Sequence, residues 1–147
     1  MTVVFDTEPL LAFSFDEPGV GEVERWLDKV YDGKRNGYVS TINLAEFRYI
    51  ASRKTSMRQA DAHINDIREV GLNTINIDDQ WEMAAELKAR YHPSIADAYA
   101  VACAKSLDND VDRDVTLLVG ADDDYDVFEE ADEYKYLIVR FRDNAAD

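Results

Sequence analysis

Apolar positions along this chain fall into two patterns: short continuous runs, and stretches in which they recur every three or four residues. Continuous runs of β-branched and aromatic residues are typical of buried strands, and the three-four spacing is typical of amphipathic helices. The runs predict strands at residues 2–5, 38–42, 72–77, 115–119 and 136–139. The spaced stretches predict helices at residues 8–15, 20–31, 43–54 and 57–70, one ending at Tyr91, one beginning at Ile95, and a short acidic one before the last strand.

Capping residues mark several of these boundaries. Ser56 is suited to cap the helix that follows it, and Gly71 is suited to end that helix. Asp79 and Glu82 have the spacing of an N-cap pair at the start of the helix that runs to Tyr91. These signals place the helix ends independently of the apolar spacing.

The alternation of strands and helices continues along the whole chain. This order is typical of a mostly parallel sheet with helices on both faces. A chain of 147 residues is long enough for one domain with its own core. The sequence therefore predicts a single α/β domain over residues 1–142, with an acidic loop at 108–114 and a loose tail at 143–147.

The composition combines a globular core with an extreme surface charge. Hydrophobic residues make up 46% of the chain, which predicts a packed core, but the net charge is −15. Such a charge repels nucleic acid and destabilises the compact state, although at molar salt a Debye length of about 3 Å removes most of both penalties. With ten Arg against six Lys, the surface resembles that of halophiles that keep salt inside the cell, and we interpret the charge as adaptation to solvent.

The single cysteine, Cys103, excludes an internal disulfide and is consistent with a reducing cytoplasm. It lies in an apolar helical stretch, where a buried and unreactive thiol is expected. Because no apolar run approaches 18 residues and no basic segment precedes an apolar one at the start, we expect neither a membrane span nor a secretory leader.

Four acidic residues stand where a fold would normally place apolar ones. Asp6 and Asp122 follow strand-like runs, and Glu46 and Asp97 lie one turn inside apolar helical stretches. A carboxylate in such a setting is costly unless it is paired, hydrogen-bonded or bound to a metal. In parallel sheets ligands bind beyond the carboxyl ends of the strands, so these side chains could share one site. Four carboxylates suit Mg²⁺ or Mn²⁺ and would not select Zn²⁺.

Simpler roles compete for some of these acids. Asn43 with Glu46, and Ser94 with Asp97, each fit a capping box, which explains either acid about as well as a metal does. Asp122 also begins an EF-hand-like spacing, but Val127 stands where that loop needs glycine and a strand precedes it. Neither motif accounts for Asp6.

The ordered set of motifs resembles the PIN-domain ribonucleases, and the small size resembles the VapC-type toxins among them. The segments that carry the resemblance are Val3–Thr7, Leu44–Phe47, Ile95–Ala102 and Leu118–Tyr125. The resemblance implies a three-layer α/β/α sandwich and Mg²⁺- or Mn²⁺-dependent hydrolysis of RNA. It also implies a cognate antitoxin protein as partner and a homodimer.

The resemblance assigns roles to particular residues. It makes Asp6, Glu46, Asp97 and Asp122 the catalytic acids and metal ligands, with Asp124 as a further ligand and Thr7 in a supporting position. Two positions depart from the family pattern. Gly120 stands where a Ser or Thr is usual, and Tyr125 stands where a Phe is usual.

The window from Phe47 to Ala60 contains no acid, which is unusual in so acidic a chain. Its basic residues are candidates for RNA phosphate contacts, and a solvated helix face is an equally good interpretation of them. The basic residues are Arg48, Arg53, Lys54 and Arg58.

Two other functions remain open at this level. One is a catalytically weak or inert PIN-fold module that binds RNA or protein. The other is a phosphotransfer domain, which the sequence disfavours because Asp6 has no adjacent acid, Glu8 stands two residues later where the phosphatase pattern needs Asp, and no lysine stands at a strand end.

Overall fold

The structure is a computed structural model that describes residues 1–108 and 114–143. Most of the predicted loop at 108–114 and of the tail at 143–147 lies outside the described residues. The described residues form five strands: β1 Thr2–Phe5, β2 Asn36–Ser40, β3 Asn73–Ile75, β4 Val115–Val119 and β5 Ile138–Arg140. The α-helices are α1 Thr7–Phe15, α2 Val20–Tyr31, α3 Thr41–Lys54, α4 Met57–Val70, α5 Trp81–Tyr91, α6 Ile95–Leu107 and α7 Asp126–Glu130.

The strands form one parallel sheet in the order β3-β2-β1-β4-β5. β1 is the central strand, with β2 on one side and β4 on the other. The chain extends the sheet from β1 through β2 and β3 on one side and then through β4 and β5 on the other, so the strand order reverses at β1. The crevice beyond the carboxyl end of β1 is therefore the position where parallel sheets bind ligands. The fold class predicted from the alternating pattern is confirmed.

Helices cover both faces of this sheet, which gives three layers. Side chains alternate along β1, so Val3 and Phe5 enter one apolar cluster and Val4 enters the other. The first cluster packs against α1 to α4, and the second packs against α5, α6 and α7. α6 is rich in alanine and buried over most of its length, so its backbone packs closely against the sheet.

The boundary between β2 and α3 differs from its predicted position. The strand was expected at 38–42 with the helix beginning at Asn43, but the strand ends at Ser40 and the helix begins at Thr41. The reason is that Ser40 is the N-cap, and its hydroxyl accepts the backbone N–H of Asn43 at 3.0 Å. The predicted capping box of Asn43 and Glu46 is therefore wrong.

The remaining boundary errors are smaller. Of the predicted strand 72–77, only Asn73–Ile75 pairs, because a short 3₁₀ turn follows at Ile77–Asp79. Asp79 is inside that turn, so the predicted cap pair with Glu82 is wrong; Gln80 precedes α5 and makes no side-chain cap. The last strand, predicted at 136–139, is displaced to Ile138–Arg140. Within the described residues, no helix is both long and apolar enough to cross a membrane.

Candidate metal centre

A cavity of about 300 Å³ opens beyond the carboxyl ends of β1 and β4. Asp6 follows β1 directly, and Asp122 lies three residues beyond the end of β4. Glu46 reaches the cavity from α3, and Asp97 reaches it from the first turn of α6. The structure thus brings the four predicted acids to one cavity. Its lining is completed by Thr7, Glu8, Leu11, Ile50 and Ser94.

Asp6 is held by an amide from the neighbouring connection. Its side chain is 3% exposed, and the Nδ2 group of Asn43 donates to its Oδ1 at 3.0 Å. The same Nδ2 group donates to the hydroxyl of Thr7, and the hydroxyl of Ser40 donates to the amide oxygen of Asn43. Asn43 is fully buried, so this network fixes the orientation of Asp6 relative to α3.

Ser94 caps α6, and the Asp97 carboxylate takes no part in the cap. The Ser94 hydroxyl accepts the backbone N–H of Asp97 at 3.2 Å, as the predicted motif requires. The reciprocal bond comes from a different residue, because the backbone N–H of Ser94 donates to Oδ2 of Asp124 at 2.8 Å. Asp124 therefore takes the position that Asp97 would occupy in a complete capping box.

The two carboxylate oxygens of Asp97 have different surroundings. Tyr125, which is fully buried, donates its hydroxyl to Oδ1 at 3.1 Å. Oδ2 is buried and has no hydrogen-bond partner among the described residues. Oxygens of Asp97, Asp122 and Asp124 lie within 4.8 Å of one another. A buried, unpartnered carboxylate oxygen beside two other carboxylates is costly without a cation.

The electrostatics of the cavity favour protons or a cation. Burial raises the pKa of Asp6 to about 7, and the nearby charges of Glu46 and Asp122 add to the increase. Burial also raises the pKa of Asp97, helped by the charges of Asp6 and Asp122. Both shifts arise because the charged carboxylate is desolvated next to like charges. A divalent cation in the cavity would offset both causes.

The donor set fits a hard divalent cation. All of the acidic side chains offer oxygen, no histidine or cysteine is among the described residues that line the cavity, and the unpartnered oxygen of Asp97 is able to coordinate a cation. Oxygen-only sites suit Mg²⁺ and Mn²⁺. Thr7 makes its hydrogen bonds to Asn43 and so supports the ligands without needing to be one. The roles of these residues stay predictions.

The predicted RNA-binding residues have unequal freedom. Arg48 makes two hydrogen bonds to Asp61, with Nε 2.7 Å from Oδ1 and Nη2 3.2 Å from Oδ2. The guanidinium of Arg53 stacks on the exposed ring of Tyr49, and the Lys54 ammonium lies over the ring of Phe15. Arg58 is exposed in the first turn of α4. Arg48 is therefore the member of this set most engaged within the protein.

Sequence reasoning missed several groups that position the site. Asn43 was interpreted as a cap, and its buried bond to Asp6 depends on contacts between distant segments. Tyr125 was noted only as a departure from the family pattern, yet its hydroxyl bonds Asp97. Glu8 and Arg140 hold the turn that carries Asp122, and no local pattern in the sequence distinguishes them from other charged residues.

Comparison with solved structures gives the same fold. The crystal structure of VapBC2 from Rickettsia felis bound to a DNA fragment from their promoter matches with a TM-score of 0.69 and 16% identity, covering 95% of this chain and 98% of that chain. A toxin-antitoxin complex from Klebsiella pneumoniae matches with a TM-score of 0.66 and 18% identity, covering 96% and 98%.

Sequence comparison identifies the family. No curated protein matches the chain significantly. The family model described as "PIN domain" matches residues 3–133, which include β4, β1 except its first residue, and all five acids that line the cavity. This match spans most of the chain and agrees with the three-layer fold, so the protein belongs to the PIN domain family.

Proposed function

We propose that this protein is a metal-dependent endoribonuclease that hydrolyses RNA phosphodiester bonds. The observation that carries the proposal is the unpartnered Oδ2 of Asp97, buried in a side chain that lines a cavity with four other acids. Membership of the PIN family supports the reaction class, because PIN domains are generally nucleases.

In this proposal Asp6, Glu46, Asp97 and Asp122 hold Mg²⁺ or Mn²⁺, with Asp124 as a further ligand. The cation would supply a water of lowered pKa and would neutralise charge on the phosphate during in-line attack. The protein's own contribution is orientation: Asn43 fixes Asp6, and Tyr125 fixes Asp97. Leu11 and Ile50 form the apolar part of the wall.

The substrate is proposed to be RNA that approaches along α3 and α4. The exposed basic side chains of Arg53, Lys54 and Arg58 would contact phosphates, and Tyr49 would stack on a base. Because the chain carries a net charge of −15, this local basic surface and the cation together would have to offset a general repulsion of RNA.

We further infer that the protein is the toxin of a toxin–antitoxin pair, acts in the cytoplasm and forms a homodimer. Support comes from the fold neighbours, which are a VapBC2 complex and a toxin-antitoxin complex, each aligned over nearly its full chain. A cognate antitoxin would then be a small protein that covers the acidic cavity.

The test compares wild type with Asp6→Asn. Wild-type protein should cleave RNA with Mg²⁺ or Mn²⁺ and lose cleavage when the metal is chelated. Asp6→Asn should be slower by about a hundredfold or more, since it removes a ligand rather than a supporting contact. Equal activity of the two proteins would contradict the metal site. Growth arrest by wild type but not by Asp6→Asn, relieved by a small neighbouring gene, would test the toxin role.

Titration with Mn²⁺ in high salt separates this function from an inert binding module. The nuclease requires a calorimetric signal that Asp6→Asn and Asp97→Asn both weaken. An inert module would give no carboxylate-dependent signal. The glycine at position 120 was the sequence feature that favoured an inert module, and the structure shows that the space beside it is filled by another side chain.

A further inference from the structure

The turn that carries Asp122 is held by a side chain from α1. The carboxylate oxygen Oε2 of Glu8 accepts the backbone N–H of Ala121 at 2.9 Å. Glu8 is 113 residues away in sequence and lies two residues after Asp6, so this bond links the exits of β1 and β4. The link joins the two strand ends that deliver acids to the cavity.

The same carboxylate occupies the space beside Gly120. A Cβ built at Gly120 would overlap the carboxyl group of Glu8, with Oε1 at 2.6 Å and the other two atoms nearer still. Gly120 has an ordinary φ, so space rather than backbone conformation requires glycine there. Any side chain at 120 would have to expel the Glu8 carboxylate from its contacts.

Glu8 is itself anchored by Arg142. The Nε group of Arg142 donates to Oε2 of Glu8 at 2.9 Å, and both side chains are about three-quarters buried. Arg142 also donates to the carbonyl of Pro18 at 2.9 Å and contacts Glu17 at 3.3 Å. The guanidinium offsets the charge of Glu8, which would otherwise add to the repulsion among the acids of the cavity.

The turn is also held from its other side. Nη1 of Arg140 donates to the carbonyl oxygens of Gly120 and Asp122, at 2.8 and 3.1 Å. Arg140 is fixed by Asp126 and Glu129. With Glu8 bound to the N–H of Ala121, donors and acceptors of three successive residues are engaged, and the turn has little freedom to move.

A serine at position 120 would hold this turn in a different way. The hydroxyl of a serine that begins a turn accepts the N–H two residues on, which here belongs to Asp122. Gly120 lacks that hydroxyl, and the Glu8 carboxylate supplies an acceptor to the neighbouring N–H from another helix. The geometry points to Glu8 as the positioning residue for Asp122, in place of a side chain at 120. This inference rests on the proposed metal site and specifies how one ligand is held.

The experiment replaces the Glu8 carboxylate by a serine hydroxyl at position 120. The readouts are the Mn²⁺ dissociation constant from calorimetry in high salt and Tm without metal. Glu8→Ala should weaken Mn²⁺ binding about tenfold, the size expected when a group that orients a ligand is removed. Gly120→Ser should weaken binding in wild type, because it expels Glu8, but should recover most of the affinity when added to Glu8→Ala.

Two controls isolate positioning from other effects. Glu17→Ala removes the other carboxylate bound to Arg142 but does not touch the turn, so Mn²⁺ affinity should stay within about twofold of wild type. Glu8→Ala with Gly120→Ala refills the space without a hydroxyl, so it should recover Tm but not affinity. Glu8→Gln, which keeps an acceptor for Ala121 and loses the ion pair, should be intermediate, and it replaces Glu8→Ala if that variant does not fold.

The outcomes distinguish this inference from the proposed function. Wild type that binds no Mn²⁺ overturns both. Wild type that binds Mn²⁺ while Glu8→Ala binds equally well overturns the positioning role alone. Equal recovery by alanine and serine at position 120 also overturns it, since filled space would then be the whole effect.

Discussion

The phenolic oxygen of Tyr125 lies 3.1 Å from Oδ1 of Asp97 and donates a hydrogen bond to it. Both side chains are buried, so the bond is shielded from water and holds the carboxylate in one orientation. The other oxygen, Oδ2, has no hydrogen-bond partner among the described residues, and oxygens of Asp122 and Asp124 lie within 4.8 Å of an oxygen of Asp97. Tyr125, which stands out in the sequence only as a departure from the family pattern, thus orients a candidate ligand.

Removal of this hydroxyl by Tyr125→Phe should stabilise the protonated form of Asp97. The pKa of Asp97 should rise further, because the donor to its charged form is removed. Mn²⁺ affinity at pH 7 should fall severalfold, and the free energy of unfolding should fall by about 1 kcal/mol. Calorimetry between pH 6 and 9 measures the Mn²⁺ affinity and its dependence on the pKa of Asp97, and denaturant titration measures the free energy of unfolding.

Tyr134→Phe is the matched control for that variant. Tyr134 packs edge-on against Phe128 in the same aromatic cluster and is not among the described residues that line the cavity. A loss of Mn²⁺ affinity in this variant equal to that in Tyr125→Phe would show that the effect comes from aromatic packing.

Stability without metal should fall as pH rises through neutrality. The pKa of Asp6 in the folded state is about 7, above its ordinary value of 3.8, so the folded protein binds more protons than the unfolded chain between these values. The Asp6 contribution is therefore complete below about pH 4 and is lost as pH rises to about 7, at about 1.4 kcal/mol for each pKa unit. Denaturant titrations in chelator should show this fall more steeply in wild type than in Asp6→Asn.

Asp28→Asn, on the exposed face of α2, is the control for that pH series. It changes the net charge by the same amount at a position remote from the cavity, so it should keep the wild-type slope. With saturating Mn²⁺ the stability of wild type should instead rise with pH, because a cation binds the deprotonated carboxylates. A slope in Asp6→Asn identical to that of wild type would contradict the assignment.

Loss of the Asn43 amide should lower both the stability of the protein and its affinity for Mn²⁺. Asn43→Ala leaves Asp6 and Thr7 without their common donor, so we expect a loss of about 1–3 kcal/mol in the free energy of unfolding. Mn²⁺ affinity should fall by about 10- to 100-fold. Ser56→Ala, which removes the N-cap of α4 and costs about 1 kcal/mol, should leave Mn²⁺ affinity unchanged.

The basic residues should contribute to RNA binding according to their freedom. Combined replacement of Arg53, Lys54 and Arg58 by alanine should weaken RNA binding and reduce the slope of log affinity against log salt, by about 0.7 for each phosphate that is no longer neutralised. Arg48 is held by Asp61, so Arg48→Ala alone should change this slope little. Filter-binding of Asp6→Asn protein, in which cleavage is expected to be slow, measures both across a salt series.

Asp61→Ala supplies the complementary test. It releases Arg48 and removes a negative charge, so RNA should bind more tightly than to wild type. If Arg48→Ala instead lowers the slope of log affinity against log salt by about 0.7, the ion pair with Asp61 must break when RNA binds.

The fold could be predicted because the spacing of apolar residues that distinguishes strands from helices is visible within short segments of the sequence. Strand and helix assignments depended on neighbouring residues, and the parallel order followed from their alternation. The acids were found because a carboxylate within an apolar run conflicts with its surroundings, as at Asp6 and Asp97. The beginning of α3 was misplaced because Thr41 and Ile42 have strand-like side chains, whereas the cap at Ser40 determines the boundary.

The groups that position the acids could not be found in this way. Whether Asn43 caps a helix or donates to Asp6 depends on how β1 and α3 meet, which no local window contains. From the sequence, Gly120 only lacks the hydroxyl that is usual at this position. The carboxylate that fills the space beside it belongs to Glu8, near the other end of the chain, so no local pattern could indicate it. Such contacts depend on tertiary packing alone.

The backbone N–H of Asp6 donates to the carbonyl of Leu118, and the strand before it is paired on both sides. Amide protons in such a position exchange with solvent only when the whole domain opens. The backbone position of Asp6 is therefore not lost when an edge strand or a terminus frays. If the protein is a toxin, its restraint must come from a partner that occludes the cavity.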